Sequence, residues 1–262
     1  MSEIKKVAVI GAGVMGASIA AHIANAGIPV RLLDMPGGFG KKNALANAAV
    51  DKLLAADPEC FMHKRNAKLV ECGNTDDLDD VSDCDWIIEA IVEKLEIKQD
   101  LYNRLEKVCK PTAIISSNTS TIPLATLIQG LPASLQERFL IAHFFNPPRY
   151  MRLLELVKGA KTRQAYYDSV VDFADRMLGK TVVNCNDTPG FIGNRIGIFW
   201  VTTAFEEAVA KGMNIEDADA VLSKPLGIPK TGVFALMDLV GIDLIPLLGR
   251  SLSHALPKTA LS

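Results

Sequence analysis

The sequence has no excess of basic residues: 28 Lys and Arg stand against 30 Asp and Glu, a formal net charge of −2. That balance gives a phosphate backbone nothing to hold, so nucleic acid is not expected as a partner. The five cysteines (Cys60, Cys72, Cys84, Cys109 and Cys185) are odd in number and scattered, with no C-x-x-C pair. A disulfide framework and a zinc site are therefore not expected, and a reducing cytoplasm is the expected compartment. No stretch of about eighteen apolar residues occurs, and the start MSEIKKVAVIG runs into an apolar stretch too short for a signal peptide. Neither a membrane span nor a leader is expected. Internal repeats and low-complexity segments are missing as well. What is present is an ordinary globular composition, 49% hydrophobic and 22% charged, over 262 residues. That length holds one large domain or two smaller ones, each with its own core.

The pattern of elements starts with VAVI, GAGVMG and SIAAHIANAG, which read as strand, turn and helix ending at Gly27. PVRLLD forms a second strand closing at Asp34, so one βαβ unit is complete there. The loop MPGGFG leads into a helix over KKNALANAAVDKLLAAD, ending near Pro58. DWIIEAIVE and TAIISSN are β-rich runs separated by the helical pattern KLEIKQDLYNRLEKV. RFLIAHFF and MRLLELV read as two more strands, a helix follows over roughly 162–178, and TVVNC is the last strand. Strands alternating with helices imply a parallel sheet, doubly wound and Rossmann-like. After residue 186 the apolar spacing is helical throughout, from TPGFIGNR to TGVFALMDLVGIDLIPLLG. The expected organisation is a Rossmann-like α/β domain over 1–186 and a smaller all-α domain over 187–262.

GAGVMG (Gly11, Gly13, Val14, Met15, Gly16) is a weak motif alone, but it sits between a strand and a helix, and Asp34 ends the next strand. That is what dinucleotide binding requires. Gly11 allows the tight turn, Gly13 lets the pyrophosphate approach the backbone, Gly16 lets helix and sheet pack closely, and the helix N-terminus offers N–H groups to the phosphates. Asp34 would accept hydrogen bonds from the adenosine ribose and repel a 2′-phosphate, which favours NAD over NADP, although Arg31 and Lys41 flank the site. Further along, HFFNPPRYMRLLELV places His143 near the end of one apolar strand and Glu155 inside another. An acid among leucines needs a partner. An ion pair with the histidine supplies one, fixing the imidazole tautomer and favouring its protonated form. The competing reading has Glu155 facing solvent on an edge strand and His143 as a core histidine.

EAIVEKLEIK, SSNTS, HFFNPPRYMRLLE and DTPGFIGNR, in this order after the glycine turn, resemble the 3-hydroxyacyl-CoA dehydrogenase family over roughly residues 4–250. The resemblance implies NAD-dependent oxidation of an L-3-hydroxyacyl-CoA thioester to the 3-oxoacyl-CoA. His143 would be the general base, suited by an unperturbed pKa of about 6.5, with Glu155 as its support. Ser120 would contact the substrate oxygen and the nicotinamide, Asn194 the substrate near the reacting carbon, Glu93 and Lys98 the nicotinamide-side ribose, and Asn146 the nicotinamide region. Each has a plainer alternative: a helix cap for Ser120 or Thr121, a solvated helix face for Glu93 and Lys98, a turn for Asn146, a surface residue for Asn194. Lys52, Lys64 and Arg65 are candidate phosphate contacts for CoA, and His22, His63 and His254 read as structural or exposed. The family's helical domain dimerises, so a homodimer is expected. STIPLATL and GIPKTGVFALMDLVGIDL resemble the dehydrogenase portion of longer fused β-oxidation proteins. With HALPKTALS ending the chain without an evident final helix, a fragment of such a protein is expected. The rival readings are a 3-hydroxy-acid dehydrogenase acting without CoA, and a catalytically weak NAD-binding structural or sensor protein.

Overall fold

A computed structural model of the chain describes residues 3–38, 40–227 and 231–241. The chain divides into two compact units, Met1–Asp187 and Thr188–Ser262. In the first unit, one eight-stranded sheet runs in the order β3-β2-β1-β4-β5-β6-β7-β8. Its strands are β1 (Val7–Ile10), β2 (Val30–Asp34), β3 (Val70–Asn74), β4 (Trp86–Glu89), β5 (Ile114–Ser117), β6 (Phe139–Phe144), β7 (Leu153–Lys158) and β8 (Thr181–Cys185). Helices α1 (Val14–Asn25), α2 (Ala44–Leu54), α3 (Leu95–Val108), α4 (Leu124–Leu127), α5 (Ala133–Gln136) and α6 (Gln164–Arg176) connect them.

The central strands are buried along their whole length: every residue of β1, β4, β5 and β6 is buried. Their near-continuous apolar strings follow from helices covering both faces of a parallel sheet. The sheet is not parallel throughout, however. β6 and β7 are antiparallel, with His143 directly opposite Glu155. The link between them, FNPPRYMR, is too short to hold a crossover helix, and without a crossover a neighbouring strand returns antiparallel. β3 also departs from the expected element list. It is an edge strand, VECGN, paired in parallel with β2 and only partly buried, so its string is too polar to read as a strand.

Helix α3 is amphipathic, but two of the four residues on its buried face are polar. Lys98, Leu101, Tyr102 and Leu105 lie at positions i, i+3, i+4 and i+7. The second unit contains α7 (Gly193–Ala210), α8 (Ile215–Val221) and α9 (Phe234–Val240) around Val201, Ala204 and Val233. Asn214 caps α8, accepting from the Asp217 N–H at 2.7 Å, and Asp219 caps α9 through the N–H groups of Phe234 and Ala235. The expected helical run GIDLIPLLG beyond Gly241, the ending HALPKTALS and His254 lie outside the described residues.

Candidate active site

At β1 the order of the sheet reverses, because β2 lies on one side and β4 on the other. Ligands bind such sheets outside the C-terminal ends of the strands at that point. The glycine turn stands there. Gly11 has φ +104° and a Cβ on it would lie 2.4 Å from the Ala90 carbonyl oxygen, while one on Gly16 would lie 1.8 Å from the Gly11 carbonyl oxygen. Both are required by the protein's own backbone. Gly13 is different: a Cβ there would meet no protein atom within 4 Å. That open space fits a pyrophosphate lying against the exposed start of α1 at Gly13 and Val14. Met15 is half-buried beside them. Asp34 at the end of β2 accepts from the Ala12 N–H at 2.5 Å and the Met35 N–H at 2.6 Å, which ties β2 to the turn. A carboxylate has room for further donors, so a ribose hydroxyl is still accommodated. Arg31 does not reach toward the turn but pairs with Glu71 at 2.5 Å.

His143 and Glu155 come together as a buried pair. His143 Nδ1 lies 2.8 Å from Glu155 Oε2, and the two residues are 6% and 1% exposed. A carboxylate can only accept, so Nδ1 carries the proton and the ring orientation is set. Glu155 stands on β7, which β8 covers on its other side, so it faces no solvent edge. The Phe145 ring packs edge-on to the imidazole at 4.6 Å. Asn118, in the loop after β5, accepts from the Phe144 N–H at 2.9 Å and so joins that loop to the His143 strand. Ser120, half-buried, belongs to the same loop. Neither Ser120 nor Thr121 caps the following helix. Pro123 holds the N-cap position of α4, and the Asp187 carboxylate receives the Leu124 and Ala125 N–H groups.

Lys98 is buried rather than solvated. Its ammonium lies 2.5 Å from Glu89 Oε1 and 3.1 Å from Glu93 Oε2. Glu93 also accepts from the hydroxyls of Thr119 and Thr121. Burial pushes the Glu93 carboxyl up, but Lys98 and these hydroxyls outweigh it and hold the group below the usual carboxylate range. Glu89, fully buried, also receives Tyr102 Oη at 2.5 Å, Ser117 Oγ at 2.7 Å and the Ile91 N–H at 2.8 Å. Glu89 was not among the expected site residues, although its signal in the sequence is close to that of Glu155: an acid closing an otherwise apolar strand. Asn146 is exposed in the loop after β6. That loop is held by Lys180, which donates to the Met151 carbonyl at 2.8 Å and to that of Pro148. Burial lowers the Lys180 pKa to about 8. Asn194, half-buried in the first turn of α7, belongs to the second unit. Lys52, Lys64, Arg65 and His63 are exposed. His63 caps the 3-10 turn at Lys64–Leu69. Among the described residues no helix is long and apolar enough to cross a membrane, and no group of three His, Cys, Asp or Glu is placed to hold a metal.

Turn, strand order and acid together define a dinucleotide-binding protein of the doubly wound class. The sequence pattern of the 3-hydroxyacyl-CoA dehydrogenase NAD binding domain matches residues 6–188, and that of the same family's C-terminal domain matches residues 190–261. The chain belongs to the 3-hydroxyacyl-CoA dehydrogenase family, whose cofactor is NAD. It is 46% identical over 265 residues to a Rickettsia prowazekii protein provisionally named a fatty acid oxidation complex trifunctional enzyme, covering 98% of this chain and 36% of that protein. It is 47% identical over 245 residues to a Deinococcus radiodurans protein provisionally named a 3-hydroxyacyl-CoA dehydrogenase, covering 93% of this chain and 71% of the relative. The crystal structure of FadB2 from M. tuberculosis superposes with a TM-score of 0.83 at 32% identity, covering 99% of this chain and 93% of that one. The chain thus spans about a third of the length of the trifunctional relative.

Proposed function

We propose that the chain oxidises L-3-hydroxyacyl-CoA thioesters to 3-oxoacyl-CoA with NAD, on an NAD-binding domain over 1–186 completed by a helical domain over 187–262. The observation that carries this is the buried His143–Glu155 pair at the C-terminal end of β6. NAD supplies the hydride acceptor. The residues to hold it are Gly11, Gly13, Val14, Met15 and Gly16 at the phosphates, Asp34 at the adenosine ribose, and Glu93, Lys98, Ser120 and Asn146 toward the nicotinamide. His143 takes the proton of the substrate hydroxyl on Nε2, since Nδ1 faces the carboxylate, and the positive charge that develops on the ring is offset by Glu155. Ser120 and Asn194 hold the reacting oxygen. In the reverse direction the same histidine returns the proton.

An acyl-CoA thioester is therefore the small-molecule partner, and a homodimer through the helical domain and a place within a longer fused protein belong to the same reading. The trifunctional relatives support the fusion, and an odd, scattered set of cysteines with no C-x-x-C pair supports a cytoplasmic location. Cell fractionation checks the location: recovery within an organelle would overturn it. The reaction is tested by adding acetoacetyl-CoA and NADH and following absorbance of the reduced nicotinamide, with NADPH and free acetoacetate in parallel. Loss of absorbance with the thioester and NADH alone is the expected result. Equal rates with free acetoacetate would overturn the CoA assignment, and NADH binding without turnover would overturn the catalytic one.

A further inference from the structure

Two carboxylates, Glu89 buried and Glu93 partly exposed, share one ammonium in a network at the end of β4. Lys98, 1% exposed, bridges Glu89 at 2.5 Å and Glu93 at 3.1 Å. The remaining groups recorded on these two acids are donors: Tyr102 Oη, Ser117 Oγ and the Ile91 N–H on Glu89, and Thr119, Thr121 and the Thr121 N–H on Glu93. Donors of this kind favour the ionised form of a carboxylate. One ammonium balances one of the two acids, so the network carries a net charge of −1.

Its place in the fold gives that charge a target. On one side it abuts the glycine turn, since the Ala90 carbonyl following Glu89 is the atom that a Cβ on Gly11 would strike. On the other, the Asn118 N–H donates to the Glu89 carbonyl at 2.7 Å, and the Asn118 side chain accepts from the Phe144 N–H beside His143. A dinucleotide reaching from the turn at β1 to the base on β6 passes the ends of β4 and β5, where this network lies. Only the nicotinamide ring changes charge between the two forms of the cofactor, from a cation when oxidised to neutral when reduced.

We propose that the Glu89–Lys98–Glu93 network biases the site toward the oxidised cofactor, with Glu89 acting as a charge-setting residue that does not itself touch the ring. This rests on the dinucleotide lying at this sheet edge as described above. At an effective dielectric constant of about 20, a unit charge acting over about 12 Å changes the affinity ratio of the two forms roughly tenfold.

The test is to measure dissociation constants for NADH, by nicotinamide fluorescence, and for NAD+, by calorimetry, at low ionic strength. The comparison is between the unaltered chain, Glu89→Gln and Tyr102→Phe. Glu89→Gln removes one negative charge at nearly constant shape, whereas Tyr102→Phe breaks the same network and leaves its charge intact. The expected result is a rise of about tenfold in Kd(NAD+)/Kd(NADH) for Glu89→Gln and a ratio within twofold of the unaltered chain for Tyr102→Phe. An unchanged ratio in Glu89→Gln, with both affinities falling in parallel, would show a purely structural role and overturn the proposal. If Glu89→Gln does not fold, the partly exposed Glu93→Gln replaces it, with the same expected sign and the same overturning result. Failure of the unaltered chain to bind either form would instead reject the cofactor placement itself.

Discussion

Two acids close or interrupt apolar strands in the same sheet, and they sit in different company. Glu155 on β7 faces an imidazole across an antiparallel pair, and Glu89 on β4 faces an ammonium, a phenol and a serine hydroxyl. An imidazole changes charge near neutral pH, whereas an ammonium and a phenol do not. Burial and the neighbouring Glu89 charge push the Tyr102 hydroxyl well above its ordinary range, so it remains a donor. In the proposed function the same kind of buried carboxylate serves two ends: beside His143 it supports a proton that comes and goes, and beside Lys98 it maintains a constant field.

The strongest way to break this comparison is His143→Gln. Losing a general base costs about 10²–10⁴-fold in turnover, and NADH affinity should stay within twofold because the cofactor network is untouched. Near-normal turnover would remove His143 from the chemistry. Glu155→Gln should lower turnover by roughly 10- to 100-fold, the range for a residue that orients another, and His143→Gln combined with Glu155→Gln should be little worse than the histidine change alone. Additive losses would show that the two residues act separately. Tyr102→Phe bears on the other acid. It should cost about 2 kcal/mol in denaturant unfolding, because it deletes a buried hydrogen bond to a charged group. A loss below a few tenths would mean that Ser117, Lys98 and the Ile91 N–H alone satisfy Glu89.

At neutral pH the smallest effect comes from His22, a histidine whose ring meets a backbone carbonyl instead of an acid. Its Nε2 lies 3.1 Å from the Leu178 carbonyl oxygen, and its buried Nδ1 has no hydrogen-bond partner. Burial, reinforced by the Lys180 ammonium, lowers its pKa from 6.5 to about 4. Between those values the unfolded chain binds a proton that the folded chain does not, so stability falls as pH drops from 6.5 and levels off below about 4. His22→Gln should flatten that part of the stability profile, and an unaltered acid slope would assign it to other groups.

Much of the site was legible because its signals are local. The turn at Gly11–Gly16 is read from six consecutive residues, and the Glu155 puzzle is stated by one acid among leucines. On pattern alone KLEIKQDLYNRLEKV reads as a solvated charged helix, yet Lys98 and Tyr102 occupy its buried face with Leu101 and Leu105. β3 was overlooked because an edge strand needs no continuous apolar string.

By itself the amino-acid order determined the strand–turn–helix start, the acid at Asp34, the buried central strands and the change to helical spacing after residue 186, since each depends on neighbours along the chain. Only the tertiary structure decided that β7 returns antiparallel so that Glu155 meets His143, and that Glu89 gathers Lys98, Tyr102 and Ser117. The physical reason is that the cost of burying a charge is written in the sequence, whereas the group that offsets it is set by strand register and helix packing between segments far apart in the chain.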